Sequence, residues 1–318
     1  MQQEILPDHI REAARRIQPI AHRTPVLTSR SFDAETGGTR VYFKCENFQR
    51  GGAFKIRGAS NFLYSLDAER LRRGVVAYSS GNHAQAVAIA ARWTGASATL
   101  VMPEDAPRSK MEATRAQGAT IVTYDRLRES REAIATKIAG ETGATLVPPF
   151  DHPWIIAGQG TAALELIEEA PDIDALIAPV GGGGLLSGCA IAAKSIRPCI
   201  RVFGAEPEIA NDTWQSFAAG RRVRIPTPET IADGLRATCP GEITFPILQR
   251  HTEQILLVSE AEIKATVRFL LSRLKILVEP SGAAGAAAVL FRKLPPGVRS
   301  IGVVLSGGNV DFETLQSL

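Results

Sequence analysis

The chain has 318 residues, 45% hydrophobic and 22% charged, with a formal net charge of +3, which is material for one large core or two modest ones. The charges are scattered and basic pairs such as Arg221-Arg222 lack interleaved aromatics, which excludes a nucleic-acid track. No apolar run approaches the ~20 residues of a membrane span, and the charged start MQQEILPDHIREAARR has no apolar signal core. Cys45, Cys189, Cys199 and Cys239 form no C-x-x-C pair, which argues against a zinc site or disulfide framework and fits a reducing, cytoplasmic setting with no membrane partner.

Helical spacing covers Pro7 to Ile17 with Asp8 as cap, Val41 to Cys45 alternates like a strand, and Lys55 to Leu66 reads as a helix. A regular alternation follows. Strands are predicted over Gly74–Ser79, Ala98–Met102, Thr120–Tyr124 and Thr145–Pro148, with helices over His83–Thr94, Arg108–Gln117 and Glu129–Thr142 between them. The rhythm restarts with a helix from about Gly158 to Glu169, strand Ala175–Val180, helix Leu185–Ile196 and strand Arg201–Ala205. A loop-rich stretch with Pro226, Pro228 and Pro240 precedes strand Gln254–Val258, helix Glu260–Leu274, helix Gly282–Lys293 and strand Ser300–Leu305. Strands alternating with helices imply an α/β fold of two doubly wound parallel-sheet domains with a cleft between them. The division is placed at residues 1–47 plus 149–318 for the large domain and 48–148 for the small one.

Ligands in such sheets sit beyond the carboxyl ends of the strands. Those ends carry Ser79-Ser80-Gly81-Asn82-His83, Gly181 to Gly184, Glu206, and Ser306-Gly307-Gly308-Asn309. Four consecutive glycines ahead of a helix let backbone amides converge on one point, as a phosphate cradle does; the plainer alternative is a tight strand-to-helix turn. A dinucleotide site accounts for Glu206 as a ribose acid, but the third glycine of G-x-G-x-x-G falls on Leu186. Lys55, in ENFQRGGAFKIRGA, stands beside Phe54 and the second cation Arg57. Desolvation and like charge both depress a lysine pKa and free the amine as a nucleophile. A phosphate-bearing aldehyde that captures such an amine is pyridoxal phosphate.

With these residues in view, the sequence resembles the fold-type II (tryptophan synthase β-like) pyridoxal-phosphate enzymes, in the group of serine racemase, threonine dehydratase and threo-3-hydroxyaspartate ammonia-lyase. The matching segments include ENFQRGGAFKIRGA, SSGNHAQAVA, PPFDHPWIIAGQGT, PVGGGGLLSG, GAEPEIAND, TIADG, VEPSGAAG and LSGGNVD. The resemblance implies pyridoxal 5'-phosphate as cofactor, with Lys55 as Schiff-base lysine and base, Gly181, Gly182, Gly183 and Gly184 on its phosphate, Asn82 on the ring hydroxyl and Phe54 against the ring. Ser306 would face the pyridine nitrogen; a serine there holds no full proton on that nitrogen, which favours expelling a β-hydroxyl. Glu279 would support the ring-end network. Ser80, Gly81, Asn82 and His83 would receive the substrate carboxylate, with His83 orienting the loop and Ser80 either a carboxylate ligand or the opposite-face base of a racemase. Glu206, the backbone oxygen of Ala210 and Asp212 match a site for Mg²⁺, Ca²⁺ or Mn²⁺; two surface acids on a loop are the alternative. Ser31 and Phe32 fall where some racemases of the group bind a nucleotide, and the end at Leu318 leaves no room for the amino-acid-sensing domain of biosynthetic threonine dehydratases.

The implied activity is elimination of water and ammonia from L-threonine or L-serine, with a serine racemase or a threo-3-hydroxyaspartate ammonia-lyase as alternatives. The last requires a cation for the second carboxylate, which no motif supplies. A homodimer is the implied assembly. A non-catalytic binding protein on the same fold is the alternative of another class, and absence of a cofactor spectrum would mark it.

Overall fold

The computed structural model describes residues 4–79, 81–106, 108–126 and 128–318. Its first part runs α1 (Pro7–Ile17), β1 (Val26–Thr28), α2 (Arg30–Glu35), β2 (Arg40–Cys45), α3 (Lys55–Tyr64) and α4 (Ala68–Arg73). Then come β3 (Val75–Tyr78), α5 (Asn82–Thr94), β4 (Ala98–Pro103), α6 (Arg108–Ala116), β5 (Thr120–Tyr124), α7 (Arg131–Thr142) and β6 (Thr145–Leu146). The second part runs α8 (Pro153–Glu169), β7 (Ala175–Pro179), α9 (Gly184–Ile196), β8 (Arg201–Pro207), α10 (Asp212–Ala219) and α11 (Thr244–His251). It closes with β9 (Gln254–Val258), α12 (Glu260–Phe269), α13 (Pro280–Leu290), β10 (Ser300–Leu305) and α14 (Phe312–Ser317).

The strands form a six-stranded sheet, β1-β2-β10-β7-β8-β9, and a four-stranded sheet, β5-β4-β3-β6. All pairs are parallel except β1 with β2, so the larger sheet has one antiparallel edge that the alternation did not foretell. Both faces of the larger sheet are covered: Ile177, Val303 and Leu305 join one core, Leu176, Ala178 and Val304 the other. A strand buried on both faces reads as an unbroken apolar run, which is why Ala175–Pro179 was legible.

Strand order decides where a ligand fits. From β7 the chain proceeds to β8 and β9 on one side, while β10 returns to the other, so the switch point lies between β7 and β10. In the smaller sheet β3 leads to β4 and β5 on one side and β6 returns on the other, which puts its switch point between β3 and β6. The glycine run, Ser306, Ser79 with Gly81 to His83, and residues 147–149 therefore all lie where their sheets have switch points.

Several boundaries differ from the sequence expectation. Helix α8 begins five residues earlier than Gly158, because Pro153 fits the first helical position and the His152 side chain caps it by accepting from the Trp154 N–H. The helix expected to run to Leu274 changes to π geometry over Leu270–Leu274 and stops at Lys275, whose φ is 62°. Helices α10 and α11 lie in the proline-containing stretch read as loop.

Candidate active site

Lys55 is the first residue of α3, and the loop before it is tied to the end of β10. Ala53 bridges Gly307, Phe54 N–H donates to the Ser306 carbonyl at 3.0 Å, and Gly308 N–H donates to the Gly52 carbonyl at 2.9 Å. The lysine thereby opens onto a cavity of about 190 Å³ between the two sheets, lined also by Phe54, Gly81, Asn82, His83, the four glycines and Ser306. Its Nζ donates to the Pro149 carbonyl at 2.8 Å and lies 5.1 Å from the centre of the Phe54 ring. Burial lowers its pKa to about 8, and the Glu279 charge pulls the other way. Arg57 has no share in this shift, contrary to the reading of the sequence. Its guanidinium turns into a buried cluster, forked to Glu46 at 2.8 Å and to Glu165 at 2.7 Å, and these carboxylates absorb its charge.

The glycine run follows β7. Gly183 caps α9 at φ 92°, a conformation that favours glycine, and a Cβ there would stand 2.9 Å from Thr244. Cβ atoms on Gly182 and Gly184 would run into Phe150. The glycines thus answer two demands, a turn and a close approach, and the loop precedes a helix N-terminus that favours an anion.

Asn82 opens α5, donates from Nδ2 to Glu279 Oε1 at 2.7 Å, and accepts at Oδ1 from Asn309 Nδ2 at 2.9 Å. Glu279, the residue before α13, also accepts the Asn309 backbone N–H at 3.1 Å. Asn82, Glu279 and Asn309, from three separate motifs, therefore meet in one network. Asn309, a strand-end residue to which the sequence assigns no role, donates to Gly51 O at 2.7 Å and adds the loop before Lys55 to the same network. His83 is buried, with Nε2 3.1 Å from the Val147 carbonyl, and burial beside Lys55 lowers its pKa to about 3. The ring is neutral, which makes Nε2 the protonated nitrogen that donates. Ser80 lies outside the described residues.

Some lining residues escaped the sequence reading. Phe150 and Pro149 come from the segment before α8, and two cations, Arg131 and Arg236, border the cavity. Arg131 sits 5.5 Å from the centre of the Tyr78 ring and donates to Glu132 at 2.9 Å. Arg236 donates from Nε and Nη2 to the Thr230 carbonyl.

The acids of GAEPEIAND are away from this cavity lining. Glu206, in β8, accepts the N–H groups of Thr213 and Trp214 at 3.2 and 2.9 Å, at the start of α10. Asp212 is buried, and among the described residues neither of its carboxylate oxygens has a hydrogen-bond partner. Burial pushes the Asp212 carboxyl up to about 7; burial and the Asp212 charge hold Glu206 well above the usual range. Among the described residues no three His, Cys, Asp or Glu side chains gather as a metal site.

A family model, "Pyridoxal-phosphate dependent enzyme", matches residues 17–307. The chain belongs to that family. It is 49% identical over 307 residues to the L-threo-3-hydroxyaspartate ammonia-lyase of Saccharomyces cerevisiae, covering 96% of this chain and 94% of that protein. Among solved structures it is similar to maize serine racemase, with a TM-score of 0.95 and 46% identity, covering 99% of this chain and 97% of that one. It is likewise similar to a T.th. threonine deaminase, with a TM-score of 0.90 and 46% identity, covering 96% and 98% of the two chains. The fold-type II architecture and the group seen in the sequence motifs are thereby shown. Among the described residues no helix is long and apolar enough to cross a membrane.

Proposed function

We propose that this family member is an ammonia-lyase that eliminates water from L-threonine or L-serine, giving 2-oxobutanoate or pyruvate plus ammonia. The observation that carries the reading is the Lys55 amine, its pKa lowered to about 8, in the same cavity as the glycine loop and Ser306. Pyridoxal phosphate, when bound, supplies the aldehyde that captures amines and the ring that accepts the electrons left at Cα. Gly181 to Gly184 fit its phosphate, since side chains there would fill the cradle or strain the turn. Lys55 is both the amine offered to the aldehyde and the base for the Cα proton, and Phe54 backs it. Asn82, held by Glu279 and Asn309, presents its amide to the ring hydroxyl. Ser306, a neutral group that lines the cavity, would face the ring nitrogen and could not hold a full proton on it, which favours loss of a β-hydroxyl. Ser79, Gly81 and Asn82 line the carboxylate end, and neutral His83 fixes that segment through Val147 without exchanging protons. Residues 48–148 act as the small, substrate-side domain and the remainder as the large one.

The same reading includes Mg²⁺, Ca²⁺ or Mn²⁺ held by Glu206, the Ala210 carbonyl and Asp212. Two buried carboxylates, one with no partner for either oxygen among the described residues, fit a hard cation and are poorly explained as surface acids. It also includes a cytoplasmic homodimer. The four cysteines are free, Phe48 and Leu277 expose apolar surface for a partner copy, and Asn47, next to Phe48, donates from Nδ2 to the Leu277 carbonyl at 3.0 Å. Sedimentation of the purified protein tests the assembly.

A second substrate, L-threo-3-hydroxyaspartate, is favoured by Arg131 and Arg236 at the cavity, the cations that a β-carboxylate requires. The test is 2-oxo acid release from L-serine, L-threonine, L-threo-3-hydroxyaspartate and D-serine, with the chirality of residual serine read alongside. Release from L-threonine and L-serine without D-serine supports the dehydratase. Turnover of hydroxyaspartate alone replaces it with the second reading, and D-serine formed as fast as pyruvate makes a racemase of it.

A further inference from the structure

Three consecutive residues between β6 and α8 reach three different segments, and the first two of them line the cavity. The Pro149 carbonyl accepts Lys55 Nζ at 2.8 Å. Phe150 lies against Gly182 and Gly184, where added Cβ atoms would collide with it. The Asp151 carboxylate accepts the backbone N–H groups of Glu242, Ile243 and Thr244, at 2.8, 2.9 and 3.1 Å. These amides lead into α11, where a helix leaves its first donors without intrahelical partners.

Thr244, fixed in this way, donates its Oγ1 to the Gly182 carbonyl at 2.7 Å, and Gly241 N–H reaches the same oxygen at 3.3 Å. A peptide unit is planar and trans, so its C=O and N–H point in opposite directions. Holding the Gly182 carbonyl toward the start of α11 therefore turns the Gly183 N–H to the other side of the loop. Asp151 also meets the positive end of α11 with a negative charge, which leaves the N-terminus of α9 to meet an anion. A Cβ on Gly241 would strike Asp151, so the approach of the two segments depends on a glycine there.

We infer that Asp151 and Thr244 form a latch that sets the direction of the glycine-loop amides and so the grip on the cofactor phosphate. Both are positioning residues, and the inference rests on the cofactor reading above. The test compares equilibrium binding of pyridoxal phosphate and of pyridoxal, which lacks the phosphate, to the full-length apoprotein, followed by absorbance. Thr244→Val and Asp151→Asn weaken pyridoxal phosphate by about tenfold, the scale of one hydrogen bond to a charged group. Pyridoxal binding stays unchanged in both, and Thr244→Ser, which keeps the hydroxyl, retains wild-type affinity for both ligands. Equal losses for the two ligands, or no loss for either, overturn the latch. If Thr244→Val does not fold, the ratio of the two affinities in Asp151→Asn decides. Failure of the wild-type chain to take up pyridoxal phosphate overturns the cofactor reading itself, a result distinct from intact uptake that the variants leave unaltered.

Discussion

Lys55 and Arg57 stand two residues apart on α3 and have opposite electrostatic fates. Lys55 faces a carbonyl and an aromatic ring, so burial dominates and its pKa falls to about 8. Arg57 is fully buried, yet Glu46 and Glu165 each grip it with two hydrogen bonds, and its pKa rises. Lys44, also fully buried, joins the cluster through Glu165 at 2.7 Å. Two positions on one helix thus separate a cation whose pKa burial lowers from a cation that two carboxylates hold in place. Glu206 and Asp212 supply the converse case, two buried acids that no cation pairs with among the described residues, so their pKa values rise.

The largest effect comes from removing the reactive member of the pair. Lys55→Ala should lower elimination by about 10⁴-fold, the upper range for loss of one positioned base, and abolish covalent cofactor attachment. Turnover within tenfold of wild type would refute its assignment as the base. Removing the structural member tests the other half. Arg57→Met leaves buried Glu46 without its ion-pair partner and Glu165 with Lys44 alone, and should cost about 3–5 kcal/mol in denaturant unfolding. An unchanged midpoint would mean that the cluster contributes nothing net.

A pH series sharpens the contrast. Only the neutral amine attacks an aldehyde, so capture of pyridoxal phosphate by apoprotein should rise about tenfold per pH unit and level off above the Lys55 pKa of about 8. Because the Glu279 charge raises that pKa, Glu279→Gln should move the bend to lower pH. A bend at the ordinary lysine value would remove the argument from burial.

The smallest effect is expected at the acidic pair. Both carboxyl groups bind protons more tightly folded than unfolded, so the cation-free chain loses stability as pH rises from the ordinary carboxylate range through about 7. Adding Mg²⁺ or Ca²⁺ to chelator-treated protein should restore the melting temperature at the upper end of that range and do little at the lower end. Melting that ignores cations at every pH would leave Glu206 and Asp212 without a ligand role.

Much of the architecture is legible in the sequence because it repeats locally. Strands Gln254–Val258 and Ser300–Leu305 have the limits that their pattern predicts, since apolar runs of that length bounded by polar residues have few other uses. β1 escapes such a reading because three residues on an antiparallel edge carry almost no pattern, and α10 and α11 because prolines and glycines surround short helices. The candidate site divides along the same line. Glycine runs and strand-end polar residues are properties of adjacent positions, and they point to Lys55, Asn82, Gly181 to Gly184 and Ser306 without help from the fold. The direction that Arg57 turns, the entry of Arg131 and Arg236 into the cavity, and the Asp151–Thr244 contact with the glycine loop depend on segments far apart in the chain. Asn82 and Glu279 are 197 positions apart and Lys55 and Pro149 are 94 apart. The sequence by itself determined which chemical groups are present and which strands carry them. Only the tertiary structure decided which charges face each other, because burial and pairing are properties of surroundings that the folded chain alone assembles.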